Sequence, residues 1–115
     1  MTVVKIVTNK IVSQETFRAL AKDLAENLHT RFDAPVEDVF CIVDDNAKVT
    51  LLGSFDDCAF IELHTVCNTG SEWNQGHGDI ITDLVTKHIG IEKSMQVLTF
   101  TTFAKDWVYI DGQLC

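Results

Sequence analysis

The N-terminus is the first place where this chain offers chemistry. Thr2 leads straight into an apolar, β-branched run (Val3, Val4, Ile6, Val7) that stops at Thr8-Asn9, a strand signature followed by turn residues. A backbone amine held at the start of a sheet is a potential base, with an ordinary pKa of about 7.7–8.0 that burial lowers. Glu62 and His64 stand two apart in an apolar run, so alternation puts them on one strand face. There they could share a metal ion or a proton, although a hydrogen-bonded structural pair is the simpler reading. His77-Gly-Asp79 offers a ligand pair in a polar stretch, or simply an aspartate near the positive end of a helix. Cys41, Cys58, Cys67 and Cys115 show no CxxC spacing. The first three lie within or beside apolar runs, where buried structural thiols are expected.

These groups must be positioned by the elements around them. Ser13 is a candidate N-cap, and Phe17, Leu20, Ala21, Leu24, Ala25 and Leu28 recur at spacings of three and four. That pattern predicts an amphipathic helix over about 14–30, with the stripe Phe17, Leu20, Leu24, Leu28 facing a core. After the single proline, Pro35, a strand is expected over 38–43 and a short extended piece over 49–52, with Asp56-Asp57 as a solvated turn. Residues 58–66 read as a central strand, with Ala59, Ile61, Leu63 and Thr65 on one face and Phe60, Glu62, His64 and Val66 on the other. A polar stretch over 68–78 leads to a second helix with Ile80, Ile81, Leu84, Val85 and His88 on its apolar side and Gly90 at its end. Trp73, in that stretch, is expected to pack locally. A fourth strand follows over 95–102, and the tail from Trp107 through Asp111-Gly112 reads as a short hairpin.

The order is strand, helix, strand, twice over, without a sequence repeat. The expected fold is α+β, with two pseudo-symmetric β-α-β units sharing one four-stranded mixed sheet in a single domain over 1–115. Two helices cover one face of such a sheet. The other carries Phe60, Val66 and Val97, too apolar for water, and is expected to be buried by further copies of the chain.

The 115 residues carry 17 acidic against 9 basic side chains, a net charge of −8, which argues against nucleic acid or an anionic membrane as partner. No apolar run approaches the roughly 18 residues of a membrane span. With no basic leader or apolar h-region at the start, a reduced, cytoplasmic location is expected. Neither a metal nor another cofactor is implied.

Taken together, these residues resemble the macrophage migration inhibitory factor family, which includes D-dopachrome tautomerase, within the tautomerase superfamily. Thr8-Asn9 is similar to the family's T-N, Ala34-Pro35 to its K-P, and Gly53-Ser54 through Asp57-Cys58-Ala59 to its G-S-x-x-P-C-A segment. Val66 falls at the isoleucine of S-I-G, Asn74 resembles the family's asparagine, His88 to Ile91 resembles L-x-I, and Trp107 resembles its W-x-x tail. The resemblance implies a homotrimer whose sheets wrap into a central barrel, with sites between neighbouring subunits. It also implies keto–enol tautomerisation by a proline amine exposed when the initiator methionine is removed. A lysine then binds the substrate carboxylate, a backbone amide of the central strand takes part, and a tyrosine and an asparagine come from the next subunit.

Position by position, the resemblance maps that site onto unlike residues. The proline falls on Thr2, the lysine on Ala34, and the tyrosine and asparagine on Val97 and Thr99; the apolar wall remains as Val66 and Trp107. Keto–enol chemistry needs a base near neutral pH and a cation for an anionic substrate. Losing one charge-assisted carboxylate contact costs about 1.5–3 kcal/mol of binding. A primary amine on Thr2 would still accept a proton after loss of Met1, whereas a retained Met1 displaces the amine from the pocket. Cys58-Ala59-Phe60-Ile61 keeps only the first cysteine of the family's CxxC, which leaves no adjacent resolving thiol.

Three functions follow as expectations. The first is a trimeric, cytokine-like signalling protein with absent or vestigial tautomerase activity, acting on a cell-surface receptor or other protein after leaderless release. The second is an active tautomerase using the Thr2 amine on an aromatic or less charged substrate. The third is a binder of a small aromatic ligand in the remaining pocket.

Overall fold

In the computed structural model, which describes residues 1–32, 39–66, 70–104 and 106–114, strand β1 (Thr2–Thr8) alternates strictly in burial. Thr2, Val4, Ile6 and Thr8 point into the core, and Val3, Lys5 and Val7 point to the other face. Helix α1 (Gln14–Phe32) follows. Its N-cap is Ser13, as predicted: the Thr16 N–H donates to Ser13 Oγ at 3.1 Å. Leu20, Leu24 and Leu28 are fully buried, while Phe17 at the edge of the stripe stays half-buried. Strand β2 (Val39–Asp44) returns parallel to β1. Pro35, Asp38, Asn68, Cys67 and Cys115 lie outside the described residues.

The second half repeats the plan. Strand β3 (Ala59–Val66) lies antiparallel to β1, and helix α2 (Ser71–Ile89) leads through a 3-10 turn (Lys93–Met95) to strand β4 (Gln96–Phe103), parallel to β3. The sheet order is β2-β1-β3-β4, so the two β-α-β units meet at the central β1–β3 pair. In place of an extended piece over 49–52 there is only a turn bridged between Leu51 and Ser54. Strands β5 (Tyr109–Ile110) and β6 (Gln113–Leu114) make the expected tail hairpin.

Both helices lie on the face of Val4, Ile6, Ile61 and Leu63, and Ile81, Leu84, Val85 and Ile89 of α2 complete the core. Each of these large aliphatic side chains contributes about 1.5–3 kcal/mol by leaving water.

Helix α2 begins well before the 68–78 stretch ends, a correction to the sequence reading. Three glycines, Gly70, Gly76 and Gly78, made that segment look like a loop. Gly78 lies within the helix, where a Cβ would meet the Phe100 ring of β4 at 3.5 Å, an ordinary contact. Gly90 ends the helix in a left-handed conformation, its N–H donating to the Thr86 carbonyl at 3.0 Å.

Candidate functional site

Thr2 enters the sheet between Val39 of β2 and Thr65 of β3. Its side chain faces the helices and is buried, and Met1 precedes it, so its nitrogen here is an amide in the strand. Val66 is the next residue beyond Thr65 and lies on the opposite, uncovered face, level with Phe103. These two positions share one end of the sheet.

Val97 and Thr99 lie elsewhere. They sit on the uncovered face of edge strand β4, level with Phe60 and Glu62. Phe60 is six residues from Val66, about 20 Å at a rise of about 3.3 Å per residue. Within one chain, therefore, Val97 does not meet Val66 or Thr2. Trp107 follows β4 in a turn closed by its N–H to the Ala104 carbonyl, and it is largely exposed. Ala34 lies outside the described residues.

The uncovered face alternates as the sequence suggests. Phe40 and Val97 are 61% and 40% exposed on it, and Val3, Val7, Phe60 and Val66 are half-buried. A polar row crosses this apolar surface, with Lys5, Glu62 and Thr99 directly in register. His64 Nε2 donates to Glu62 Oε2 at 3.2 Å, and its ring packs on Phe103 with centroids 5.7 Å apart. Glu62 and His64 thus form a hydrogen-bonded pair. Among the described residues, no group of three or more His, Cys, Asp or Glu side chains is placed to hold a metal ion. Lys5 was not singled out by sequence, because its partner across the sheet is 57 positions away.

The other sequence candidates resolve into packing. His77 is buried inside α2, not in a loop; its Nδ1 donates to the Trp73 carbonyl at 3.0 Å and its ring stacks on the Trp73 indole. Asp79 lies mid-helix, accepting from Gln75 Nε2 at 2.9 Å, too far from the N-terminus for the dipole role expected of it. Cys58 is buried with Sγ 3.7 Å from the Val49 carbonyl, and burial followed by the Asp57 charge raises its pKa. Burial pushes the Cys41 thiol up to about 11. Thiols so shifted stay protonated and inert at neutral pH.

A residue with a larger role than its motif suggested is Asn9. Its side-chain amide donates to the Val49 and Asp56 carbonyls at 3.3 and 3.0 Å, and its oxygen accepts from the Cys58 N–H at 3.0 Å. One side chain thereby pins both ends of the 49–58 segment.

No helix among the described residues is long and apolar enough to cross a membrane. A family model described as macrophage migration inhibitory factor (MIF) matches residues 1–114. No curated protein matches the sequence. Among solved structures, a macrophage migration inhibitory factor homologue from Prochlorococcus marinus superposes with TM-score 0.90 at 12% identity, covering 97% of each chain. A macrophage migration inhibitory factor-like protein from Entamoeba histolytica gives TM-score 0.86 at 18% identity, over 99% of this chain and 98% of the other. The macrophage migration inhibitory factor from Trichinella spiralis gives 0.83 at 19%, over 98% and 99%. At these identities the likeness is one of fold.

Proposed function

From the premise that the chain belongs to the macrophage migration inhibitory factor family, we propose that it is a trimeric binding or signalling protein in which keto–enol tautomerase activity is absent or vestigial. The observation that carries this reading is the set of residues at the positions matched to the family's site. Thr2, Ala34, Val97 and Thr99 supply no proline amine, no cation and no phenol. General acid–base catalysis contributes about 10²–10⁴ in rate, and a lost carboxylate contact costs about 1.5–3 kcal/mol of binding, so the combined deficit is large.

Association of copies is supported by the uncovered sheet face, where Phe40 and Val97 meet solvent in a single chain. It is also supported by the separation of Val97 and Thr99 from Val66. Any pocket using both ends of the sheet needs a second copy. A cytoplasmic location, and action on a receptor or other protein, complete the proposal.

The test is phenylpyruvate and dopachrome turnover on protein whose N-terminus has been established by mass spectrometry, both with and without Met1. Background rates for both forms support the reading. Family-like rates after loss of Met1 overturn it in favour of catalysis by the Thr2 amine.

A further inference from the structure

The loop over 51–57 is built as a rigid, exposed anchor. Leu52 and Phe55 are 87% and 88% exposed, the two most exposed large apolar side chains among the described residues. Leu52 also holds a left-handed backbone (φ 57), a conformation its Cβ disfavours. Neither burial nor backbone preference explains a leucine there, and such strain persists only where surrounding bonds over-determine it. Those bonds are present. Asn9 holds both ends of the segment, the Ser54 N–H donates to the Leu51 carbonyl at 3.0 Å, and the Asp56 N–H donates to Ser54 Oγ at 3.0 Å. A loop whose backbone is already held in place loses little backbone freedom on binding.

Phe55 stands between two clefts, and their charges differ. The first, about 420 Å³, is lined by Phe55, Met95, Gly90 and the carboxylates of Asp56, Asp57 and Glu92. The second, which Phe55 and Asp57 also line, contains Lys48. Lys10 lies 3.6 Å from Asp57, while Asp56 and Glu92 make no ion pair with any described residue. An apolar contact surface formed by Phe55 and Met95 is therefore flanked by two unanswered negative charges.

We propose that this loop and the acidic cleft beside it form a docking surface for a basic segment of another protein, one apolar side chain packing on Phe55 and Met95 while adjacent Arg or Lys side chains meet Asp56 and Glu92. Charge complementarity selects the occupant: a neutral or acidic segment would leave both carboxylates facing unpaired or like charge.

The experiment uses the whole chain and a fluorescein-labelled peptide of alternating arginine and leucine, with a glutamate-for-arginine peptide as control, read by fluorescence anisotropy. The basic peptide is expected to bind and the acidic one not to bind. Phe55→Ala should weaken binding about tenfold or more, as removal of an interface anchor does. The double variant Asp56→Asn, Glu92→Gln should weaken it by a similar factor at low salt and much less at high salt, where charges are screened. All three positions are exposed, so circular dichroism should be unchanged. Equal binding of both peptides, or wild-type affinity for the Phe55 variant, overturns the proposal. So does a change in mass by light scattering for Leu52→Ser, Phe55→Ser, because the loop would then be buried between copies of this chain.

Discussion

His88 Nε2 donates to Asp23 Oδ2 at 2.7 Å, fastening the last turn of α2 to the middle of α1. The same carboxylate oxygen accepts from Lys87 Nζ at 3.0 Å, so one acidic residue holds two neighbouring donors of α2. The sequence placed His88 on the apolar side of α2; the structure makes it a half-buried polar clamp between the helices.

This clamp predicts a pH dependence. The His88 hydrogen bond, and after it that of Lys87, hold the Asp23 carboxyl below its ordinary value. A depressed folded-state pKa means that the unfolded chain takes up the proton more readily. The stabilisation is therefore full above the unfolded carboxylate pKa of about 3.9 and is lost as pH falls through the folded value. Asp23→Asn should cost about 1–2 kcal/mol at pH 7, and much less at pH 3, in urea denaturation. An equal cost at both pH values would show that the charge is not the cause.

The uncovered sheet face should set the oligomeric state. Light scattering is expected to give a mass near three times the 12.9 kDa chain. Phe40→Glu and Val97→Glu place charges on side chains that a single chain leaves exposed. Each is therefore expected to produce a folded monomer, because the charge would be buried only on association. A monomeric wild-type protein would remove the support for association.

The thiols should be silent. With a pKa of about 11, Cys41 carries roughly 0.1% thiolate at pH 8, and the shift at Cys58 is in the same direction. Iodoacetamide at pH 8 followed by peptide mass spectrometry should leave both unmodified in native protein and label both in urea. Rapid native labelling of Cys58 would indicate an accessible, activated thiol.

Restoring the matched residues should restore chemistry if the backbone still supports it. The combined variant Thr2→Pro, Ala34→Lys, Val97→Tyr, Thr99→Asn, with Met1 removed, is expected to turn over phenylpyruvate at least about 10²-fold faster than wild type. Proline is acceptable at the first residue of a strand. A folded trimer of the variant without such a gain would mean that the pocket's shape, beyond its polar groups, has diverged.

Much of the fold was legible because its signals are local. The three- and four-residue spacing of Phe17, Leu20, Leu24 and Leu28, the Ser13 cap and the period-two alternation through 59–66 each act within a few residues. The start of α2 was hidden because glycine is usually read as a break. Gly78 sits inside α2 beside Phe100, 22 positions later and brought close by the return of β4. The opening of β1 at Thr2 and the end of β3 at Val66 were legible through the apolar runs that bound them. The Asn9 clasp and the exposed Leu52 and Phe55 were not, since a turn sequence does not reveal which side chains it turns outward.

The sequence by itself determined the two β-α-β units and the apolar nature of both sheet faces, for these depend on residue type and short periodicity. Tertiary structure alone decided which positions meet. The order β2-β1-β3-β4 and the parallel register of β3 with β4 put Val97 and Thr99 level with Phe60 and Glu62, far along the sheet from Val66. They also bring Lys5 beside Glu62 and Asp23 beside His88. Such contacts arise from long-range pairing and packing, which no local pattern in the chain specifies.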